Sequence, residues 1–456
     1  MSRAPAKLSI IPQDSDDAKI QRVLKKQREE DAKPKFSAEL EFALELGKDV
    51  NFATKNGVLH RWDGVFWEPL DHIDAERFSF DWLANQRPDV ATALKATAAV
   101  NAATLSIRQV PDAAESDVVT LPCKNGYLQI SQTGEIEFVE PSKSLGLTYV
   151  LGCQFDEFAA ADKFEKFVES VQPDDEVRAL LQEYVGYTLL SDTRHQVAQL
   201  WLGGGSNGKG TLAQIISKLH EKVVAVNLDS LQGFQLTGLL GASLAYSDET
   251  PNRIDEQRIK TLISGDLVQI ERKFRDNLSL RPTAKWIVCA NAIPSISDHS
   301  TGFWRRWHII PFTQTFSGAD VDPMLARDVV RNELPGVLNW AVEGLVRLLQ
   351  RGRFPIMPDA VLSATEKGKR ETNSVLSWVE ISDLQIVDPH SYEAKSKSYV
   401  YQCYATWCVD NGMSKLGSPR FWARLRQVLD FQEIRGTGQK RERMVGLGSV
   451  QFSSGN

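Results

Sequence analysis

The stretch LWLGGGSNGKGTLAQII, Leu200 to Ile216, constrains what this chain can fold into more than any other. Val197 to Leu202 is apolar except for Gln199 and reads as a buried strand. Gly203-Gly204-Gly205-Ser206-Asn207-Gly208-Lys209 then fits the spacing G-x-x-x-x-G-K, and Thr211-Leu-Ala-Gln-Ile-Ile opens a helix with apolar residues three and four apart. In a strand–turn–helix of this kind the small residues let backbone N–H groups converge on a phosphate, and the helix N-terminus adds its dipole. Lys209 is placed to neutralise the outer phosphates of a nucleotide. One part is displaced: the usual pattern puts Ser or Thr directly after the lysine to hold Mg²⁺. Here Gly210 follows Lys209, and the hydroxyl comes one residue later on Thr211.

Further signals follow in order. ASLAYSDET carries Asp248-Glu249 at the end of an apolar run, Leu244 to Tyr246. On a strand beside the loop strand, Asp248 would serve a metal ion and Glu249 an attacking water. AKWIVCANAIPSI is a buried strand, Trp286 to Ala290, ending in Asn291. Ligands of open α/β sheets gather at the carboxyl ends of the strands, where an amide can orient a water or reach a γ-phosphate. Taken alone, Asn291 reads more readily as a turn residue before Pro294. STGFWRRWHIIPF sets Arg305 and Arg306 between aromatics before another strand; a guanidinium that cannot lose its proton suits transition-state charge on phosphate. The bare dipeptide also fits a surface pair packed by aromatics.

Between the acids and Asn291, RIDEQRIKTLISGD has helical spacing and LVQIERKFRDNLSLRP reads as a hairpin turning at Asp276-Asn277. Arg272, Lys273, Phe274 and Arg275 flank that turn, a composition that can grip a phosphate backbone and touch a base face, or simply be solvated.

The 456-residue chain is long enough for two to four domains. No apolar run approaches bilayer length, no signal-peptide pattern opens it, and five scattered cysteines predict buried thiols in a reduced, cytoplasmic-type protein. A net charge of −6 argues against a general nucleic-acid coat but not against local contact. The expected division is a flexible charged segment over 1–51, a mixed α+β/helical companion domain over 52–161, an α/β core with its flanking helices over 162–355, and an α+β tail over 356–456. The tail is locally basic (Lys415, Arg420, Arg424, Arg426, Arg435, Lys440, Arg441, Arg443), and its order of helix, helix and strand pair suggests a winged-helix-like module with Arg420, Arg424 and Arg426 toward DNA.

The ordered set GGGSNGKGT, YSDET, LISGDLVQIERKF, WIVCANAIP and GFWRRWHIIPF resembles the superfamily 3 helicase domain, within it the phage/plasmid primase–helicase branch that includes the poxviral primase-helicase. RWDGVFW, NGYLQI and LLQEYVGYTLL resemble that branch's amino-terminal companion, so the likeness covers roughly Phe52 to Gln350. The resemblance implies an AAA+-type parallel-sheet ATPase, ATP and Mg²⁺ as cofactors, and a ring, usually a hexamer, moving 3′→5′ on single-stranded or forked DNA. It implies Gly203 to Thr211 as the nucleotide loop, Lys209 as its lysine, Asp248 and Thr211 on Mg²⁺, Glu249 on water, and Asn291 as sensor. Arg306, with Arg305 second, would act on the adjacent subunit's ATP. Arg272 to Asn277 would track DNA inside the ring. Such proteins serve replication of a phage, plasmid or mobile element in a bacterial cytoplasm. The stretch before Phe52 is short for a primase, so a separate primase or polymerase partner is expected. The rival readings are an origin-binding initiator and an AAA+ loader whose ATPase controls assembly.

Overall fold

The structure, a computed structural model, describes residues 21–23, 25, 36–112, 117–248, 254–272, 275–294, 296, 298, 300–318, 321–413, 415–435 and 442–448. By its internal contacts the chain divides into two compact units. One runs to Ala113 and takes in Lys143–Gly146; the other holds Ala114–Ser142 and everything from Leu147 onward.

In the first unit, helix Ala38–Leu46 starts where the Ser37 hydroxyl accepts from the Leu40 amide. Strands β1 (Phe52–Lys55), β2 (Val58–Trp62) and β3 (Trp67–Pro69) form an antiparallel sheet, followed by helices His72–Gln86 and Ala93–Ser106. The expected hairpin at Asp63-Gly64 is present, with the Asp63 carboxylate accepting from the amides of Val65 and Phe66. Residues 1–51 were expected to be a flexible segment, and this needs correction for its last part. Phe42 and Leu46, one helical turn apart, are buried with Phe52, Leu59, Ala99 and Ala103, so Ala38–Leu46 is a core helix.

The second unit opens with the meander β4 (Val119–Cys123), β5 (Gly126–Ile130) and β6 (Ile136–Val139), then helices Asp162–Val171 and Asp175–Thr188. A boundary at residue 161 does not separate these elements. Leu121, Leu128 and Ile130 share one apolar cluster with Phe164, Leu180, Tyr184 and Trp201, so the meander is built onto the core.

That core is a parallel sheet. Its strands are β7 (Ala198–Leu202), β8 (Val223–Ala225), β9 (Leu244–Ser247), β12 (Lys285–Ala290) and β13 (Trp307–Pro311), with the hairpin β10 (Val268–Arg272) and β11 (Arg275–Leu280) inserted before β12. The five strands lie in the order β13-β7-β12-β9-β8, and every neighbouring pair is parallel. Central β12 is buried along its whole length and β7 along nearly all of it, as a parallel sheet covered on both faces requires. Helix Lys209–Ser217 covers one face with Leu212, Ile215 and Ile216; helix Glu256–Ser264 contributes Ile259 and Leu262 to the other cluster.

The hairpin differs from expectation in register. Arg272 pairs directly with Arg275, so the chain reverses between them, and Asp276 and Asn277 lie within β11. The cross-strand pairs of Val268 with Leu280 and Ile270 with Leu278 fix this register, because both members of each pair must reach the same face.

Helices Leu325–Asn332 and Leu334–Arg351 close the core, and so does helix Asp359–Thr372. The expected boundary at residue 355 therefore moves to about Asn373. Val361 is buried in the main cluster, and a Cβ on Gly368 would sit 2.3 Å from Ile293 Cδ1. Beyond it come helices Ser374–Ile381, Lys397–Asp410 and Ser418–Val428. Strands β15 (Lys395–Ser396), β16 (Glu433–Arg435) and β17 (Arg443–Val445) form an antiparallel sheet, and β14 (Gln385–Ile386) pairs with β18 (Leu447–Gly448). This module has its own aromatic core, with Tyr404 stacked on Phe421 at 4.4 Å between ring centroids and Trp378 edge-on to Tyr404. All five cysteines are buried and free of disulfides. Among the described residues no helix is long and apolar enough to cross a membrane.

Candidate functional site

The glycine-rich loop leaves the carboxyl end of β7, and the helix after it begins at Lys209 with Gly208 as its left-handed cap at φ 81°. Two of its glycines are demanded by space. A Cβ on Gly203 would lie 2.2 Å from the Phe312 carbonyl oxygen, and one on Gly208 would lie 2.5 Å from Val171 in addition to the positive φ. Gly204, Gly205 and Gly210 have nothing within 4 Å of an added Cβ, so that side of the loop is open.

Lys209 is buried, and its ammonium donates to the carbonyls of Gly203 at 2.7 Å and Gly204 at 3.1 Å and to Asn207 Oδ1 at 2.9 Å. Burial lowers its pKa, opposed by the nearby Cys289 and Asp248. Asn207 is 4% exposed, and its amide nitrogen turns to the carbonyls of Gly204 and Phe312. One side chain thus ties the loop to the end of β13 and holds the lysine. The Phe316 amide donates to the Ser206 carbonyl at 2.8 Å, a second tie to the same segment.

Asp248 follows β9 and Asn291 follows β12, both exposed and both at the sheet edge from which the loop springs. The register shows this directly: the Gly203 amide donates to the Ala290 carbonyl at 3.1 Å. Tyr246 donates its hydroxyl to Asp248 Oδ1 at 2.7 Å. Glu249, expected to serve water, lies outside the described residues, as do Lys273 and Phe274 of the hairpin; Arg272 and Arg275 are described in backbone only.

The donor set fits a nucleoside triphosphate with Mg²⁺. The helix N-terminus, whose first amides have no partner within the helix, follows the open side of the loop; a lysine stands beside it, and a carboxylate and the Thr211 hydroxyl are hard oxygen ligands. Gly210 and Thr211 are the second and third residues of the helix, so the displaced hydroxyl stands about 100° further around its axis than a side chain at 210 would.

The arginine pair lies at the other end of the sheet. It precedes β13, and the Ala198 amide at the start of β7 donates to the Arg306 carbonyl at 2.8 Å. Strand β13 spans roughly 16 Å from there to the loop end, further than an arginine reaches. The two side chains also differ. Arg306 is half-buried, with Nε donating to Ser264 Oγ at 2.9 Å and a terminal nitrogen donating to the Gly302 carbonyl. Arg305 is exposed, with a long contact of 3.5 Å to Gln196 its one side-chain hydrogen bond among the described residues. Of the pair, Arg305 is thus the outward member and Arg306, ranked first from the sequence, the inward one: the flanking aromatics Phe303, Trp304 and Trp307 are buried and draw Arg306 inward with them.

In the tail, Arg420, Arg424 and Arg426 all lie on helix Ser418–Val428 but face different surroundings. Arg420 is exposed and Arg424 half-buried, and both line a cleft of about 480 Å³ with Glu256 and Asp298 of the core. Arg426 pairs with Glu433, which also binds Lys397 and Arg443.

Sequence reasoning placed the loop, Asp248 and Asn291 together but gave no role to Tyr246, Cys289 or Phe312. For Tyr246 a signal existed, since residues two apart on a strand share a face.

Residues 201–306 match a family of unknown function, DUF5906. The chain is 24% identical over 233 residues, 46% of its length, to "Putative helicase 121R" of Invertebrate iridescent virus 3. It is also 24% identical over 252 residues to "Putative helicase 022R" of Frog virus 3. It spans only 24% and 25% of those proteins' lengths. Among solved structures it is similar to an apo structure of the NrS-1 C-terminal region, at 13% identity and a TM-score of 0.39 over 74% of this chain and 96% of that one.

Proposed function

We propose that this chain is an ATP-dependent DNA helicase of the superfamily 3 type, working as a ring, most simply a hexamer, that moves 3′→5′ on single-stranded DNA and opens forked duplex. The observation that carries this reading is the split of the site across the sheet. Loop, lysine, Asp248 and Asn291 stand at the carboxyl ends of the strands, and the arginines stand at the opposite end, out of reach of their own loop. A nucleotide held by one subunit then needs an arginine from the next, which makes assembly part of catalysis. The similarity to two viral proteins whose names call them helicases supports the same reading.

In this reading Gly203 to Thr211 hold the phosphates, Lys209 leaves its loop carbonyls for the β- and γ-oxygens, and Asn291 orients the water with Glu249. Thr211 and Asp248 hold Mg²⁺, which supplies charge neutralisation on the phosphate oxygens. Arg305, as the exposed member of the pair, completes the neighbour's site. The β10–β11 hairpin, reversing between Arg272 and Arg275, carries the basic tip toward DNA. The setting is replication of a phage, plasmid or mobile element in the cytoplasm of a bacterial host, with a primase or polymerase as a separate partner.

A second reading is favoured by the tail. Its helices, three-strand antiparallel sheet and exposed Arg420 support a winged-helix-like module on duplex DNA, which an origin-binding initiator or a loader would use. DNA-stimulated ATP hydrolysis and strand displacement on forks of both polarities decide between them. Unwinding that is lost in Lys209→Ala supports the helicase. Site-specific footprinting with hydrolysis but no unwinding replaces it with the initiator or loader.

A further inference from the structure

We infer that Tyr246 is a positioning residue for Asp248, holding one carboxylate oxygen so that the other is presented to the metal ion of a bound nucleotide. The inference rests on the nucleotide reading of the site and goes beyond it, because nothing in the loop pattern requires a tyrosine there.

Asp248 is the first residue past β9, so its backbone is no longer held by the ladder. The terminal torsion of a carboxylate is broad, and an exposed aspartate at a strand end would sample many orientations. Tyr246 removes that freedom. Residues 246 and 248 share a face, and the phenol reaches past Ser247 to donate to Oδ1 at 2.7 Å. Among the described residues Tyr246 is the one donor to this carboxylate, and its bond to Oδ1 leaves Oδ2 for a ligand.

The phenol is itself fixed from below. Tyr246 stands opposite Ile287 of β12, and the next residue of β12 on that face is Cys289. The Cys289 thiol is within hydrogen-bonding reach of the Tyr246 hydroxyl and lies near Lys209. Cys289 is buried, and burial pushes its pKa up to about 12, so it stays a neutral thiol. An ionised carboxylate only accepts, so the hydrogen bond runs from the Tyr246 hydroxyl to Asp248. The chain Cys289–Tyr246–Asp248 therefore runs from the sheet interior to its carboxyl edge, ending beside Lys209. Outer partners of this kind change metal affinity by roughly 10- to 100-fold when removed.

The test compares wild type, Tyr246→Phe and Asp248→Asn in the full chain. Fluorescent ATP-analogue binding is measured in EDTA, and Mn²⁺ binding to the nucleotide-loaded protein is measured by loss of the free-ion electron paramagnetic resonance signal. Tyr246→Phe keeps the ring, and a thermal melt checks its fold. The expected result is unchanged nucleotide affinity in EDTA with Mn²⁺ bound about 10-fold more weakly in Tyr246→Phe, and more weakly still in Asp248→Asn. Wild-type Mn²⁺ affinity in Tyr246→Phe alongside a weakened Asp248→Asn overturns the inference and leaves the nucleotide reading standing. An equal loss with and without metal overturns it as well, showing a merely structural tyrosine. Failure of the wild type to bind the analogue at all refutes the nucleotide reading itself, and the inference with it.

Discussion

Mixing two dead variants should restore activity, and how much is set by where the arginines stand. In the proposed reading Lys209→Ala removes the group that neutralises the outer phosphates but leaves its own arginine for a neighbour. Arg305→Ala keeps a whole loop but offers nothing to the next subunit. With roughly 16 Å of β13 between the pair and the loop, neither Arg305 nor Arg306 serves its own chain. In a random 1:1 ring, a site works when an Arg305→Ala loop meets a Lys209→Ala neighbour, which happens at about one interface in four. An arginine of this kind contributes roughly 10³- to 10⁵-fold in turnover, so each variant alone should be silent and the mixture should hydrolyse ATP at about a quarter of the wild-type rate. If firing must pass around the ring in order, the recovered rate falls below that, but stays above the silent variants. Steady-state hydrolysis with single-stranded DNA present is the assay, with size-exclusion chromatography to show that the variants co-assemble. Co-assembly without any recovery refutes the trans arrangement. If Arg305→Ala alone is fully active and the complementation appears with Arg306→Ala instead, the inward anchoring of Arg306 on Ser264 and Gly302 has been misread as a retaining contact.

Three other outcomes follow from the geometry. Gly203→Ala should abolish nucleotide binding, because its Cβ meets the Phe312 carbonyl at 2.2 Å, while Gly204→Ala, with nothing within 4 Å, should keep the fold by circular dichroism and bind at least in part. Thr211→Ala should weaken Mg²⁺-dependent binding, and adding Gly210→Ser, for which there is space, should recover part of it; a Thr211→Ala protein with an unchanged Mg²⁺ titration removes Thr211 from the metal. His220 is buried between Thr188 and Ser243, and burial lowers its pKa from 6.5 to about 3. The folded state refuses a proton that the unfolded chain accepts, so the associated stability is present above about 6.5 and is lost as pH falls toward 3. His220→Gln should flatten chemical-denaturation midpoints across that window, and an unchanged slope would show that His220 does not set it.

What could be read in the sequence was whatever depends on neighbours along the chain. The loop spacing, the apolar strands at β7, β9 and β12, the helix after the loop, expected from Thr211 and found from Lys209, and the acid and amide just past their strands all rest on local periodicity and steric rules. The hairpin turn was misplaced because Asp276-Asn277 is a good turn by composition, yet the apolar pairing of Val268 with Leu280 outweighs it. The boundaries at 161 and 355 failed for a related reason: proline-containing or polar stretches mark loops, but whether a loop separates two cores depends on what packs across it. Leu128 and Val361 reach the central cluster from outside the expected limits.

By itself, then, the sequence determined that an α/β core carries a glycine-rich strand–turn–helix loop, with an acid and an amide just past two further strands, because apolar periodicity and turn chemistry act between neighbours along the chain. Only the tertiary structure decided that Arg305 faces out and Arg306 in, that Asn207 holds Lys209, and that Tyr246 holds Asp248. Those outcomes turn on which buried surface each long side chain meets, and that surface is assembled from segments far apart in the chain.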